Sequence, residues 1–275
     1  MRKVLVQRMR IDVEGTVQGV GFRPFVYRLA RELELTGWVH NTRNGVLIEV
    51  EGDSPAIEMF LQRLRTDTPT ATSLESVRTR VIPVLDERSF AIDRSVESGQ
   101  RTLVIPPDLA TCADCLRELK DPHDRRFGYP FLTCTQCGPR YSLLTAIPYE
   151  RSNTTMTVFE LCSACRTEYF TEADRRFHAE PIACPSCGPR LCLWDEQGRG
   201  VASGEAALRQ AQGMLDQGLI VAVKGLGGFQ LWVDAASENV VQRLRDRKRR
   251  PEKPFAVLFP SIEAVRSYCL LSSEE

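Results

Sequence analysis

The chain has 275 residues, a length that predicts two or three domains rather than one. Its 36 basic and 36 acidic residues balance, so no net charge would draw it to nucleic acid or to an anionic membrane. The first residues hold only a short apolar run before charges return, which argues against a secretory signal or membrane helix and favours a cytoplasmic protein.

Residues 1–92 have the pattern of a compact α/β domain. Apolar and polar residues alternate from Met9 to Val13, as in a half-buried strand, and an apolar helical face follows. Asn44-Gly45 lies between two apolar runs and predicts a hairpin turn. A second helix and strands near 76–84 and 89–92 complete the order β-α-β-β-α-β, which predicts a ferredoxin-like sandwich.

A glycine-rich stretch, GTVQGVGFRPF, leads into the first helix. Gly19 and Gly21 tolerate backbone conformations in which successive amides converge on one anion. The helix start directs its unpaired amides to the same point, and Arg23 adds a planar guanidinium matched to two phosphate oxygens. We therefore predict a phosphate-binding site formed by Gln18, Gly19, Val20, Gly21, Phe22 and Arg23.

The stretches GTVQGVGFR and GWVHN, which ends at Asn41, resemble the signature of the acylphosphatase family. The resemblance covers the segment 1–92. It implies that Arg23 binds the phosphoryl group and that Asn41 orients the attacking water. Because an acyl phosphate has a good leaving group, positioning and electrostatic stabilisation suffice, without a metal or a covalent nucleophile.

Eight of the ten cysteines form two blocks with the same internal spacing. Each block contains two Cys-x-x-Cys turns. Two such turns can close a tetrahedral sulfur site, which suits zinc and leaves no position for substrate. We therefore predict two structural zinc ions. Their ligands would be Cys112, Cys115, Cys134 and Cys137 in the first block, and Cys162, Cys165, Cys184 and Cys187 in the second.

The two cysteine blocks are also repeats of one another. Residues 112–144 and 162–194 share thirteen identities over 33 ungapped positions, including DRRF and CGPR runs, which indicates a duplicated module. A disulfide scaffold is the alternative. The turns could pair within or between blocks, and we favour each block closing on itself. His123 and His178 flank the DRRF runs and are expected at the surface.

The region from 108 to 192 holds ten basic and eleven acidic residues. A zinc module that reads nucleic acid is normally clearly basic, so this balance disfavours nucleic acid as a partner. We interpret the zinc ions as structural ions that stabilise a region with too few apolar residues to form its own core. Cys192 and Cys269 lie outside the repeated turns and are expected to be small apolar core residues.

From about residue 204 the pattern becomes an alternation of helices and strands, which suggests an α/β domain. A basic run from Arg243 to Lys253 is followed by an apolar stretch expected to be a strand. These motifs resemble the YrdC-like nucleotide-binding fold, although Gln230 stands where a histidine is usual. The resemblance implies that ATP, with Mg, is bound by Lys224, Lys248, Arg250 and Lys253.

Together the segments predict an α+β multidomain chain. The acylphosphatase-like ferredoxin sandwich spans 1–92 and a linker spans 93–107. Tandem zinc-ribbon-like modules span 108–195, with their cysteines within 112–137 and 162–187. A partial α/β YrdC-like domain, which we expect to be incomplete, spans 200–275.

This order of segments resembles the HypF family of carbamoyltransferases, which mature nickel–iron hydrogenases. The resemblance implies that carbamoyl phosphate is hydrolysed to carbamate, that ATP adenylates the carbamate, and that the carbamoyl group passes to a cysteine of a HypE-type acceptor. There it becomes the cyanide ligand of the iron. Because the final transfer domain is not in the chain, we expect acyl phosphate hydrolysis without completed transfer.

Two alternatives stay open at this point. The chain could be a stand-alone acylphosphatase with zinc modules for docking. Affinity of the C-terminal segment for nucleotides would distinguish the HypF-type sequence of reactions from this alternative. It could also be an RNA-binding zinc protein, an interpretation that only the basic run favours. Steep salt dependence of RNA binding without acyl phosphate turnover would support it.

Overall fold

The computed structural model describes residues 6–93, 108–272 and 274, so the predicted linker lies almost wholly outside the described residues. The chain divides into two compact units, Met1–Arg190 and Leu191–Glu275. The first unit contains both the acylphosphatase-like region and the two cysteine blocks. Within the described ranges, no helix has the length and apolar character needed to cross a membrane.

The first unit begins with the predicted ferredoxin-like sandwich. Its elements are β1 (Val6–Thr16), α1 (Phe22–Glu32), β2 (Thr36–Asn41), β3 (Gly45–Asp53), α2 (Ser54–Thr66) and β4 (Ser73–Ile82). The strands form an antiparallel sheet in the order β4-β1-β3-β2. A short strand, β5 (Phe90–Ile92), extends this sheet by pairing parallel to β2.

The core of the sandwich lies between the sheet and the two helices. Ile11 and Val13 on β1 are fully buried, as the predicted alternation requires, and they pack in one cluster with Val26 of α1 and Phe60 of α2. Phe177, from the second cysteine block, belongs to the same cluster. The cysteine region is therefore packed onto the sandwich through the sandwich's own hydrophobic core.

The cysteine blocks contain little regular structure. Each has one short helix, α3 (Ala113–Lys120) in the first block and α4 (Ser163–Phe170) in the second, and the remainder is loops and single 3-10 turns. Both helices begin directly after the first cysteine of the block, so that Cys115 and Cys165 lie on their first turns. The small clusters around them contain all eight of these cysteines together with a few aliphatic and aromatic residues.

The described part of the second unit consists of two antiparallel hairpins and three helices. Its elements are β6 (Cys192–Trp194), β7 (Gly200–Ser203), α5 (Gly204–Asp216), β8 (Val221–Gly225), β9 (Gly228–Trp232), α6 (Glu238–Lys248) and α7 (Ile262–Arg266). β6 pairs with β7, and β8 pairs with β9. Ala207, Val221, Val240 and Leu244 are the buried apolar residues of its described part.

Two predictions for the second unit are wrong. The apolar stretch 255–259, expected to be a strand, has no regular structure, because no described strand pairs with it. Cys192 and Cys269, expected in the core, are both exposed. Their small size did not determine their burial, since Cys192 lies on the short β6–β7 hairpin and Cys269 follows α7 at the surface.

Candidate active site and metal centres

Each cysteine block closes on itself. The four Sγ atoms of a block all lie within 4.8 Å of one another. The Cys112–Cys134 and Cys115–Cys137 pairs are 3.6 Å apart, and the Cys162–Cys184 pair is 3.7 Å apart. Zinc–sulfur bonds of about 2.3 Å give tetrahedron edges of about 3.8 Å. A disulfide requires about 2.05 Å, so the geometry fits two zinc ions and contradicts the disulfide alternative.

The two blocks exchange hydrogen bonds to their thiolates. Arg175 of the second block donates to Cys115 Sγ of the first at 3.1 Å. Arg125 of the first block donates to Cys165 Sγ of the second at 3.3 Å. A zinc ion with four thiolates carries two net negative charges, and the guanidinium of the other block offsets part of that charge.

The second arginines of the DRRF runs make an equivalent exchange. Arg126 is almost fully buried, donates to the carbonyl of Ala183 at 2.9 Å and pairs with Glu168 at 2.5 Å. Arg176 donates to the carbonyl of Thr133 at 3.0 Å and pairs with Glu118. These partners are related by the same offset of fifty residues as the cysteines, so the repeats interlock about a pseudo-two-fold axis.

The last positions of the runs differ between the repeats. Phe127 of the first block is 45% exposed, whereas Phe177 of the second is 5% exposed and packs edge-on against Tyr27 of α1 at 5.4 Å. His178 lies among Tyr169, Phe170 and Phe177, so the prediction of a surface position for it is wrong. His123 is exposed, as expected.

Burial, together with the charge of Arg23, lowers the pKa of His178 to about 3. The backbone of His178 is left-handed, with a φ of 52°, and its amide donates to the carbonyl of Tyr169 at 3.0 Å. Asn, Asp and His are the side chains most often found in this conformation. The histidine is therefore a neutral packing residue at the junction with the sandwich.

The glycine-rich loop has the predicted left-handed turns. Gly19 and Gly21 have φ of 72° and 78°, and α1 begins at the next residue, Phe22. The loop also lies against the first cysteine block. A Cβ on Gly19 would lie 2.4 Å from the Cβ of Pro139, so this glycine is needed for the close approach as well as for the turn.

Arg23 lies at the loop but is not free. It is 7% exposed; its Nη2 donates to Glu180 Oε1 at 2.6 Å and its Nη1 donates to Glu150 Oε1 at 3.2 Å. Both carboxylates come from the cysteine region. The sequence predicts a guanidinium available to phosphate, whereas the structure shows it paired. A buried guanidinium requires a counter-charge, and these two residues supply it.

Asn41 and Gln18 are joined through Tyr149 of the cysteine region. Asn41 Nδ2 donates to the carbonyl of Tyr149 at 3.1 Å, and the amide of Tyr149 donates to Gln18 Oε1 at 2.8 Å. Gln18 Nε2 donates to the carbonyls of Thr42 and Gly45, so its side chain is committed to backbone groups. Asn41 Oδ1 is buried and accepts no hydrogen bond from any described residue.

A narrow cavity separates the loop from the cysteine region. On one side lie the glycine-rich loop and the first turn of α1 with Arg23; on the other lie segments of both cysteine blocks. The lining residues of the cysteine region are Cys134, Thr135, Gly138, Tyr149, His178, Ala179, Glu180 and Pro181. We refer to these eight residues as the roof. No sequence motif singled out Glu150 or Glu180, and none predicted that the roof would lie against the glycine-rich loop.

The predicted nucleotide residues lie on two segments of the second unit. Lys224 is on β8, with its Nζ 5.3 Å from the ring centroid of Phe229. Lys248 ends α6, and the turn after it is fixed by Arg250, which donates to the carbonyls of Lys253 at 3.2 Å and Pro254 at 2.8 Å. Gln230 lies on β9 and accepts from the indole of Trp232.

Comparison with known proteins follows the same segments. Residues 9–92 match the acylphosphatase family. Residues 111–144 and 161–194 each match the HypF finger, and residues 213–275 match a Sua5–YciO–YrdC family described as telomere recombination. The carbamoyltransferase HypF of Synechocystis sp. is 50% identical over 261 residues, 95% of this chain and 34% of its own length. Over 95% of its length the chain is therefore similar to a HypF carbamoyltransferase.

Solved structures agree with this assignment. A full-length HypF in a phosphate- and nucleotide-bound form superposes with a TM-score of 0.90 at 41% identity, over 99% of this chain and 36% of its own. An acylphosphatase of Bifidobacterium longum is 39% identical over 88 residues, 31% of this chain and 90% of its own. The chain thus spans about a third of the length of the HypF relatives it matches. The HypF match covers 95% to 99% of this chain and so includes all three segments.

Proposed function

We propose that the first unit hydrolyses carbamoyl phosphate to carbamate and phosphate. Water attacks phosphorus and the bond to the bridging oxygen breaks, so that the dianionic substrate and water give carbamate and dihydrogen phosphate. The proposal depends mainly on one observation, a cavity at which left-handed glycines, a helix start and Arg23 converge. The match of this segment to acylphosphatases supports it further.

In this proposal the loop of Gln18, Gly19, Val20, Gly21 and Phe22 holds the phosphoryl oxygens through backbone amides, and Arg23 neutralises them. Asn41 orients the water. Its buried Oδ1 has a free acceptor site, which can take a hydrogen bond from the water and leave the lone pair of the water oxygen for attack. Its Nδ2 is fixed by Tyr149, so the acceptor has one orientation.

Substrate must compete with Glu150 and Glu180 for Arg23. The phosphoryl group carries more charge than either carboxylate and receives the loop amides in addition, so the exchange favours the substrate. The carboxylates thus keep the pocket electrically balanced between turnovers. We expect weak binding of singly charged anions and tighter binding of dianionic acyl phosphates.

For the second unit we propose binding of ATP with Mg by Lys224, Lys248, Arg250 and Lys253, followed by adenylation of the carbamate. The family match of residues 213–275 and the nucleotide in the solved relative support this assignment. Transfer to a HypE-type acceptor, in the cytoplasm, completes the proposed role of the whole protein. Carbamate decomposes readily in water, which favours keeping successive sites within one protein.

Hydrolysis of carbamoyl phosphate by Arg23→Ala, measured as phosphate release, tests the first site. We expect kcat/KM to fall at least 100-fold, as for loss of one donor that stabilises developing charge. Arg63→Ala is the matched control, because Arg63 is a surface arginine of the same domain, paired with Glu32 and Asp67. Wild-type activity in Arg23→Ala, with Arg63→Ala equally active, would disprove the assigned role.

A further inference from the structure

Glu180 is the carboxylate of the roof. It is 4% exposed and is the acidic residue among the described lining of the cavity, which it shares with Gly19, Gly21 and Arg23. It comes from the second cysteine block, four residues before Cys184. A stand-alone acylphosphatase domain contains no counterpart of this segment, so Glu180 adds a function to the pocket that the sandwich alone does not supply.

Donors of the cysteine region hold one oxygen of Glu180. Its Oε2 accepts from the hydroxyl of Tyr169 at 2.8 Å and from the amide of Arg151 at 2.9 Å. Its Oε1 accepts from Arg23 Nη2 at 2.6 Å. The orientation of the carboxylate is therefore fixed independently of Arg23, and Oε1 is the oxygen directed to the phosphate-binding side.

Binding of an acyl phosphate changes the surroundings of that oxygen. When the phosphoryl group takes the guanidinium of Arg23, Oε1 loses its donor while it stays buried. An unsatisfied buried carboxylate oxygen is costly, so a substrate that brings its own donor binds better than one that does not. The amino group of a carbamoyl group is such a donor. The methyl group of acetyl phosphate has nearly the same size and donates nothing.

We propose that Glu180 selects the acyl group: its Oε1 accepts a hydrogen bond from the amino group of carbamoyl phosphate in place of the one from Arg23. This inference rests on the proposed hydrolysis at the same site. It assigns to the cysteine region a direct part in substrate recognition, beyond that of a structural support. The chemical class recognised is an acyl phosphate with an N–H donor on its carbonyl carbon.

The test compares kcat/KM for carbamoyl phosphate and acetyl phosphate, with correction for spontaneous breakdown of the former. We expect wild type to prefer carbamoyl phosphate and Glu180→Gln to lose about 10- to 100-fold of that preference, the usual effect of one hydrogen bond to a charged group. In the variant, Tyr169 and Arg151 hold the amide oxygen, which turns the NH₂ towards the substrate amino group.

Glu150→Gln is the matched control. It removes one negative charge beside the same guanidinium, at 3.2 Å, from a residue that does not line the cavity. We expect the ratio of the two kcat/KM values to stay as in wild type, whatever happens to each value. If Glu150→Gln lowers the ratio as much as Glu180→Gln, the effect is one of general charge and the inference fails.

Tyr169→Phe keeps the test valid if Glu180→Gln does not fold. Loss of the hydroxyl leaves the amide of Arg151 as the remaining described donor to Oε2, so the carboxylate is held less firmly, and we expect the preference to fall about 3- to 10-fold. An unchanged ratio in the folded Tyr169→Phe variant would overturn the inference. If wild type hydrolyses both substrates equally and Glu180→Gln leaves the ratio of the two kcat/KM values unchanged, this inference fails while the proposed function stands. If wild type hydrolyses neither, the proposed function itself fails.

Discussion

The guanidinium of Arg126 contacts Cys165 Sγ at 3.5 Å, so an arginine of the first repeat serves the metal centre of the second. Arg126 also pairs with Glu168 on the helix that carries this cysteine. Burial alone would raise the pKa of Glu168, but hydrogen bonds from Arg126 and Arg125 lower it to about 2. The carboxylate is thus ionised throughout the neutral range, and the metal centre lies within a charged and interlocked interface.

Arg126→Ala should destabilise the first unit by about 2–4 kcal/mol, because it removes one of the two arginines paired with the half-buried Glu168 and leaves the carbonyl of Ala183 without its donor. Chemical denaturation measures the loss. Competition with a chromogenic chelator should show faster zinc release from the second centre. Arg117→Ala is the control, because Arg117 pairs with Asp114 at the surface and should cost less than about 1 kcal/mol. Equal effects of the two substitutions would contradict a stabilising exchange of arginine contacts between the two cysteine blocks.

Phe177→Ala and Phe127→Ala test the asymmetry of the repeats. Phe177 packs in the core of the sandwich, so its loss should cost about 3–5 kcal/mol. Phe127, at the same position of the other repeat and 45% exposed, should cost less than about 1 kcal/mol. Thermal unfolding of both variants measures the two losses of stability. Comparable losses would show that the cysteine region is not fixed to the sandwich through Phe177.

The half-buried His178 should make stability depend on pH. Its folded pKa is about 3, against about 6.5 in an unfolded chain, so between these values the unfolded chain binds more protons. Stability contributed by neutral His178 is complete above about pH 6.5 and is lost as pH falls, by at most about 1.4 kcal/mol per pH unit. Denaturation of wild type at pH 7, 6 and 5 measures the slope.

His178→Asn should reduce that slope, since asparagine does not titrate and tolerates the left-handed backbone. His123→Asn, at an exposed position of the first repeat, should keep the wild-type slope. Zinc release at acid pH contributes equally to all three proteins and cancels in the comparison. Identical slopes for wild type and His178→Asn would show that the imidazole is accessible to protons in the fold.

Removal of zinc should alter which substrates the pocket accepts. Cys134 is one of the four cysteines placed to hold the first zinc ion and is also a member of the roof, so loss of the ion should release one side of the cavity. We expect the metal-bound chain to reject bulky acyl phosphates such as benzoyl phosphate. After chelation, the ratio of kcat/KM for benzoyl to that for carbamoyl phosphate should rise at least 10-fold. Restoration of the original ratio by zinc is the control, and an unchanged ratio would contradict a zinc-dependent roof.

Lys224→Ala should weaken binding of ATP with Mg at least 10-fold, as expected for loss of one charge-assisted phosphate contact. Isothermal titration calorimetry on the whole chain measures the dissociation constant. Arg209→Ala is the control, because Arg209 is an exposed arginine of the same unit that pairs only with Glu205 among the contacts described. If both variants bind ATP like wild type, Lys224 has no part in nucleotide binding.

Most of the fold could be predicted because its signals are local. The alternation around Ile11, the glycines at 19 and 21 and the Cys-x-x-Cys turns each involve residues a few positions apart. The two carboxylates that pair with Arg23 could not be predicted in this way, since Glu150 and Glu180 lie 127 and 157 residues from Arg23 in sequence. Nothing in the local pattern of either glutamate indicates a buried guanidinium as its partner.

One signal for the interlocked repeats was present in the sequence. Glu118 and Glu168 occupy equivalent positions of the two repeats, as do the paired arginines of the DRRF runs. An invariant acid and two invariant bases within a duplicated module indicate ion pairs between the copies. The prediction of a surface position for His178 was wrong because the contact that covers it is not shared by the two repeats. Among the described residues, only the second repeat packs against Tyr27 of the sandwich.

The exchange of arginines between the repeats also bears on the origin of the region. In a peptide with a single repeat, half of the guanidinium groups would point outwards. Their partners would lie at a second metal centre, which that peptide would not contain. An ancestral peptide with one such repeat would therefore have been stable chiefly as a symmetric homodimer, and gene duplication with fusion would have joined the two halves covalently. Once joined, the phenylalanine of one copy, Phe177, could pack into the sandwich while its counterpart, Phe127, stayed exposed.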